Sequence, residues 1–209
     1  MGKLIYFGHS CFLIESNDFA IVIDPYSHGS VPNLKIPTNI RADKVYCSHD
    51  HFDHNAKNLI KLTNKKPLIN HFFITVPHDH HKGQRRGLNN INVFDVDGYQ
   101  VVHLGDTGCV PEEKNILSIK GCDVLIAPIN GFYTIGPREL RQIANIVKPR
   151  IVIPVHYYMK EYDSGYPDNG MFEAFEKEFP NYQYIEGDTL DLEEYKDYSG
   201  ALVYRKYRQ

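Results

Sequence analysis

The segment that most constrains this chain is Ser48-His49-Asp50-His51-Phe52-Asp53-His54, which holds an H-x-H-x-D-H pattern. It follows an apolar, strand-like run (Lys44–Ser48). It precedes a short stretch with helical spacing, Asn55–Leu62, in which Ala56, Leu59 and Ile60 share one side. In extended backbone, residues two apart point to the same side, so His49 and His51 converge on one point, and Asp53 has the same parity. His54 follows as the chain begins to turn and faces a second point nearby. Two nitrogen ligands for one cation, with an oxygen and a nitrogen for its neighbour, make a dinuclear layout. Random placement would produce this pattern roughly 0.002 times in such a chain. Chance therefore does not explain it, and a merely solvated loop has no reason to lie between a buried strand and a helix.

One loop cannot fill two cation sites, and further ligand types stand just beyond other apolar runs. His78 and Asp79 follow the strand-like Phe72–Val76. Asp106 follows Tyr99–Leu104, within His103-Leu-Gly-Asp106-Thr-Gly. His156 follows Arg150–Pro154. Strand ends on one rim of a sheet are where α/β enzymes place their chemistry.

The rest of the chain reads as strands first and alternating strands and helices afterwards. Lys3–Phe7, Cys11–Glu15 and Phe19–Ile23 form a meander separated by turn residues. Ile91–Val96 and Tyr99–Leu104 flank Asp97-Gly98, a two-residue hairpin signal. Between His78 and Asn90 lies a polar loop. Pro111–Ile119, Pro137–Val147 and Met171–Phe179 have helical character. The second is the strongest, with Leu140, Ile143, Ala144 and Val147 on one face and Pro149 beyond its end. The last fifteen residues are polar and Tyr-rich, with a weak strand at Ala201–Tyr204. This succession implies a layered α/β architecture. The 209 residues suit a single domain spanning 1–209.

Composition narrows the function. Eleven histidines against four cysteines and three methionines direct attention to imidazole chemistry. Cys11, Cys47, Cys109 and Cys122 form no C-x-x-C pair, which disfavours a cysteine zinc site and suits reduced thiols in a cytoplasmic protein. The N-terminal segment lacks a signal-peptide pattern, and no apolar run is long enough to span a membrane. The net charge of −3 leaves no basic field for nucleic acid or anionic lipid.

The order His49-x-His51-x-Asp53-His54, then His78, Asp106 and His156, resembles the metallo-β-lactamase superfamily. Gly8-His9-Ser10-Cys11-Phe12 and Ile23-Asp24-Pro25 also look like this family, and the likeness covers nearly the whole chain. It is similar to the branch of stand-alone hydrolases that includes ascorbate phosphate lactonase-like proteins. The resemblance implies an α/β fold, the four-layer αββα sandwich, with a metal site between its two sheets. It implies that His49, His51 and His78 hold one ion, that Asp53, His54 and His156 hold a second, and that Asp106 bridges them. His51 stands where flavodiiron oxidoreductases carry Glu, so a flavin-bearing oxidoreductase is not expected. Nor is a secreted antibiotic-hydrolysing relative expected, as no signal-peptide pattern is seen, nor an RNA-cleaving one, as these residues leave no room for its inserted domain.

Such a ligand set implies two divalent ions, zinc first because imidazole dominates, with manganese or iron as alternatives because carboxylates are present. Two ions about 3.5–4 Å apart would share and activate a water for attack on a small lactone, ester or phosphodiester, phosphorylated or not. Asp53, Asp106 and His9 are the expected catalytic residues. Two alternatives are a nuclease or phosphodiesterase acting on nucleic acid, and a non-catalytic metal-binding protein. The first is disfavoured by the charge and the second by the complete ligand set.

Other residues keep two readings. His9 either supports the ligands and donates to the leaving group or is a backbone-bonded turn histidine. His103 reads better as a satisfied core histidine than as a ligand. Asp79 either orients an imidazole or is a solvated loop acid, and Asp24 pins the loop after its strand. Lys82, Arg85 and Arg86 form the only basic cluster, either a phosphate anchor or a solvated loop. His28, His71, His80 and His81 have no assigned role. Specificity is expected in the loops Ser27–Ala42, Lys82–Asn90 and Tyr157–Asn169. The last of these, with Phe132-Tyr133, offers either an apolar wall or an oligomer contact.

Overall fold

The computed structural model describes residues 2–209. The strands are β1 (Lys3–Tyr6), β2 (Phe12–Glu15), β3 (Ala20–Ile23), β4 (Arg41–Ala42), β5 (Lys44–Tyr46), β6 (Lys61–Leu62) and β7 (His71–Pro77). They continue with β8 (Leu88–Val96), β9 (Tyr99–His103), β10 (Val124–Pro128), β11 (Ile151–Val155), β12 (Tyr182–Ile185), β13 (Thr189–Asp191) and β14 (Gly200–Tyr204). The helices are α1 (Glu113–Ile116), α2 (Pro137–Val147) and α3 (Met171–Glu178). One sheet has five strands in the order β13-β1-β2-β3-β5. The other has seven, β12-β14-β11-β10-β9-β8-β7, and β4 pairs with β6 alone.

The two large sheets face each other across a core in which Tyr6 and Phe12 meet Tyr204, and Tyr46 meets Phe94. The opposite face of the small sheet, with Ile5, Leu13 and Val22, is buried as well. The same cluster takes in Val31, Leu34, Ile36 and Ile40 from the long segment after β3, and Ile60 just before β6. A second core joins the other side of the seven-stranded sheet to Ile116, to Leu140, Ile143 and Val147 of α2, and to Phe175 of α3. This is the layered sandwich expected. Its outer layer on the first sheet is thin, because every α-helix among the described residues follows residue 112 and packs in the second core.

The strongest local signals produce their elements. β10 and β11 are buried along their whole length, as central parallel strands covered on both faces must be. Asp97 and Gly98 both take positive φ (54° and 88°), which matches a tight turn to the strand twist between β8 and β9. α2 begins where the Gly136 N–H donates to Glu139 Oε2 (3.1 Å) and ends at Lys148 in the left-handed region.

Three expectations are corrected. Asn55–Leu62 is not a helix but a 3-10 turn (Lys57–Leu59) followed by β6. The Lys61 and Thr63 N–H groups donate across to Ile40 and Ala42, and this pairing replaces helical bonds. The strand before the histidine motif ends at Tyr46, so the motif itself is a series of bends with the His54 N–H donating to His51 O (2.9 Å). The polar loop stops at Gly87, because β8 already pairs with β7 from Leu88. The polar C-terminal region also supplies the unforeseen β12 and β13, which take their register from β14 and β1.

Candidate metal centre

β7, β9 and β11 run parallel to one another, and the segments leaving their C-terminal ends carry His78, Asp106 and His156 to one rim. The turn after β1 brings His9 to the same place, and the His156 N–H donates to His9 O (3.1 Å) across the gap between sheets. His9 and His156 both have positive φ (55° and 58°), a conformation non-glycine residues seldom hold unless tertiary contacts enforce it.

The side chains form three overlapping groups whose ligand atoms lie within 4.8 Å of one another: His49, His51 and His78; His9, Asp53, His54 and His156; and His49, His54 and Asp106. The rim therefore gathers all seven expected ligands and adds His9 to the second set. Asp106 stands between the sets, 3.2 Å from His54 Nε2, 3.5 Å from His78 Nε2 and 3.3 Å from His156 Nε2. Extended-strand parity is not what separates Asp53 from His49 and His51. The bends at residues 48–54 turn the Asp53 carboxylate to His9 Nε2 (3.3 Å) and His54 Nε2 (3.6 Å).

Hydrogen bonds fix two of these imidazoles, His54 and His49, from behind. Asp24, fully buried, accepts from the Ser48 N–H (2.6 Å), the Ser48 hydroxyl (2.7 Å) and His54 Nδ1 (3.0 Å). Since the Ser48 hydroxyl donates to Asp24, its oxygen accepts from His49 Nδ1 (2.9 Å). Both rings thus carry a proton on Nδ1 and point Nε2 forward. Asp24 was expected only to pin a loop, whereas it sets two ligand tautomers. Asn89 bonds the Asp106 N–H through Oδ1 (2.8 Å) and Leu104 O through Nδ2 (2.8 Å). Gly105 (φ +53°) is required there, because a Cβ would strike Ser48 and Asn89.

His103 is satisfied on both nitrogens: it donates to Ser10 O (2.9 Å) and accepts from the Gly105 N–H (3.1 Å). It is a core histidine. Asp79 neither orients an imidazole nor faces solvent. It accepts the backbone N–H groups of His81, Gly83, Arg85 and Arg86. Against some desolvation, these four bonds hold its carboxyl down at about 2. Tyr166 carried no individual expectation. Its hydroxyl donates to Asp53 Oδ2 (2.9 Å), while its ring stacks on His156 (centroids 5.3 Å apart). The partners lie 113 positions apart, so only the fold joins them.

The Nε2 atoms of His9, His49, His54, His78 and His156, and Oδ1 of Asp106, are buried and make no hydrogen bond. Leaving buried polar atoms unmade costs about 1–3 kcal/mol each, so such a convergence calls for a common partner. Lone pairs of imidazoles and carboxylates aimed inward fit divalent cations, and an all-nitrogen-and-oxygen donor set suits zinc, manganese or iron.

Burial lowers the His9 imidazole, and His156 beside it adds to the effect, to about 4. Burial, then His54, lowers His49 to about 3. For His54 burial works downward, but the Asp106 and Asp24 carboxylates outweigh it and hold the ring well above 6.5. Burial would raise Asp106, yet His156 and His54 keep it well below the carboxylate range. A prediction follows for chelator-treated protein. Between pH 6.5 and about 4 the unfolded chain protonates His9 and His49 while the folded one does not. Stability is complete above that window and falls with pH, by roughly 3 kcal/mol from His9 alone. His54 is charged in the folded protein throughout this window, so its contribution is lost only at higher pH, where the folded ring deprotonates. Urea midpoints at pH 7, 5.5 and 4.5 check this, and a flat or rising series contradicts it.

A cavity of about 460 Å³ opens over these ligands, walled by Phe52, Arg86, Tyr133 and Tyr166. Residues 3–156 match the family model described as the Beta-lactamase superfamily domain. A UPF0173 protein of Pyrococcus abyssi is 30% identical over 202 residues, covering 84% of this chain and 90% of the relative. A UPF0173 metal-dependent hydrolase of Opitutus terrae is 30% identical over 196 residues, covering 74% and 84%. Among solved structures, one from Thermotoga maritima, described as a candidate zinc-dependent hydrolase of the metallo-β-lactamase superfamily, superposes with a TM-score of 0.73. It is 30% identical and covers 98% of each chain.

Proposed function

Because the chain belongs to the metallo-β-lactamase superfamily, we propose that it is a metal-dependent hydrolase of a small lactone, ester or phosphodiester, acting as one domain in the cytoplasm. The observation that carries this reading is the convergence of five unbonded Nε2 atoms and the Asp106 carboxylate on one rim, beneath a cavity lined by His51, His78, Asp106 and His156. His49, His51 and His78 would hold one divalent cation, and Asp53, His54 and His156 a second, with Asp106 common to both; zinc is the first expectation. When bound, such ions supply an activated water and polarise the oxygen of the bond to be cleaved.

The chain's own groups do the rest. Asp24 and Ser48 keep protons on the Nδ1 atoms of His54 and His49. The Tyr166 hydroxyl holds Asp53 in orientation, and the side chain lines the cavity. His9 is 3% exposed and lies off the cavity walls. We therefore assign it to the second ligand group rather than to the leaving group.

Metal analysis of protein purified without chelator tests the assignment. We expect about two divalent ions per chain, turnover of a lactone or phosphodiester panel that chelator removes, and a lower metal content in His51→Ala. Less than one ion per chain, with no turnover gained on adding Zn²⁺ or Mn²⁺, would overturn it.

A further inference from the structure

The cavity over the ligands does not end at Arg86. A second cavity of about 460 Å³ adjoins it, and the two share His51, Arg86 and Tyr133. The Arg86 guanidinium lies over the Tyr133 ring, 4.2 Å from its centroid. Tyr133 in turn packs on Tyr166 (5.5 Å), whose hydroxyl bonds Asp53. The guanidinium is thus set at the junction by a continuous line of contacts from the ligand rim.

Its charge is unspent. Arg138, Arg150, Arg205 and Arg208 meet carboxylates, but among the described residues neither Arg85 nor Arg86 forms an ion pair. Asp79 lines the same cavity, but both its oxygens are committed to backbone N–H groups, including those of Arg85 and Arg86 themselves. That arrangement orders the 79–87 loop before any ligand arrives. A half-buried guanidinium, preordered and without a counter-charge, is suited to a carboxylate or phosphate that it can grip through paired N–H donors.

We propose that the second cavity is an anion subsite. The substrate carries, apart from the bond that is cleaved, a carboxylate or a phosphate monoester that Arg86 binds, with Arg85 on the same wall adding positive potential. The naming of this group as part of a substrate rests on the hydrolase reading; the binding of the anion does not. Two arginines over one small cavity match a single anionic group and not the backbone of a nucleic-acid strand.

Calorimetric titration of the metal-loaded, full-length protein with inorganic phosphate, and separately with glutarate, tests the subsite. We expect Arg86→Met to raise Kd tenfold or more at unchanged metal content, and Arg86→Lys to recover part of the loss. Arg85→Met, at an exposed position that packing does not depend on, should raise Kd about threefold. Unchanged Kd in both methionine variants would overturn the proposal, since the anion would then be bound elsewhere. Tighter phosphate than glutarate assigns a phosphate, and the reverse a carboxylate. In parallel, the ratio of kcat/KM for mono-4-nitrophenyl glutarate to that for 4-nitrophenyl butyrate should fall tenfold or more in Arg86→Met. If wild-type protein hydrolyses neither ester, nor any of the lactone and phosphodiester panel, while phosphate binding still requires Arg86, the hydrolase reading fails and the subsite stands. If both esters are hydrolysed with an unaltered ratio and Kd, the subsite fails and the hydrolase reading stands.

Discussion

Asp106→Asn is expected to lose at least about 100-fold in kcat/KM and to bind less metal, while the chain stays folded. The side chain is isosteric, so the turn that Asn89 holds through the Asp106 N–H survives. What disappears is a buried negative charge within 3.2–3.5 Å of three imidazole Nε2 atoms drawn from three different segments. Among the described residues no other carboxylate stands between both groups: the imidazoles that Asp53 meets, His9 and His54, belong to the second group. Without that charge, the two cations proposed for the adjacent groups would repel each other with no carboxylate between them. Steady-state kinetics, metal content and far-UV circular dichroism on the same preparation check the expectation. Wild-type turnover in the variant would show that Asp106 does not bridge.

Asp24→Ala should carry the largest stability effect. It removes the acceptor for the Ser48 N–H, the Ser48 hydroxyl and His54 Nδ1, all fully buried. Stranding one member of a buried charged pair costs about 3–5 kcal/mol. Two imidazoles also lose the anchor of their tautomers, so metal affinity should fall by about 10–100-fold. Asp24→Asn keeps an acceptor and tolerates the left-handed backbone at this position (φ 49°), so it should cost only about 1–3 kcal/mol. Urea unfolding of chelator-treated wild type and both variants separates these outcomes. An alanine variant within 1 kcal/mol of wild type would refute the anchoring role.

The difference between what could be read along the chain and what could not is visible in single residues. α2 and the β8–β9 turn were legible because their signals are local: a 3.6-residue apolar repeat, and a dipeptide able to take positive φ twice. Asn55–Leu62 carried the same kind of repeat yet folds otherwise. Three residues at helical spacing, Ala56, Leu59 and Ile60, stabilise too little to outweigh backbone pairing with residues 40–42. The polar C-terminal strands had no pattern of their own, since edge strands take their register from a neighbour.

The sequence alone pointed to the kind of chemistry and to the side chains that the fold gathers, because imidazoles and carboxylates crowded at strand ends have few other uses, and their order along the chain resembles a known family. Only the tertiary structure decided which ligands share a group, that Asp24 sets the imidazole protons, that Tyr166 holds Asp53, and that Arg86 stands unpaired between two cavities. Those relations join residues that lie 24 to 113 positions apart or on opposite sheets, and no local periodicity encodes a contact that forms only when two sheets close on each other.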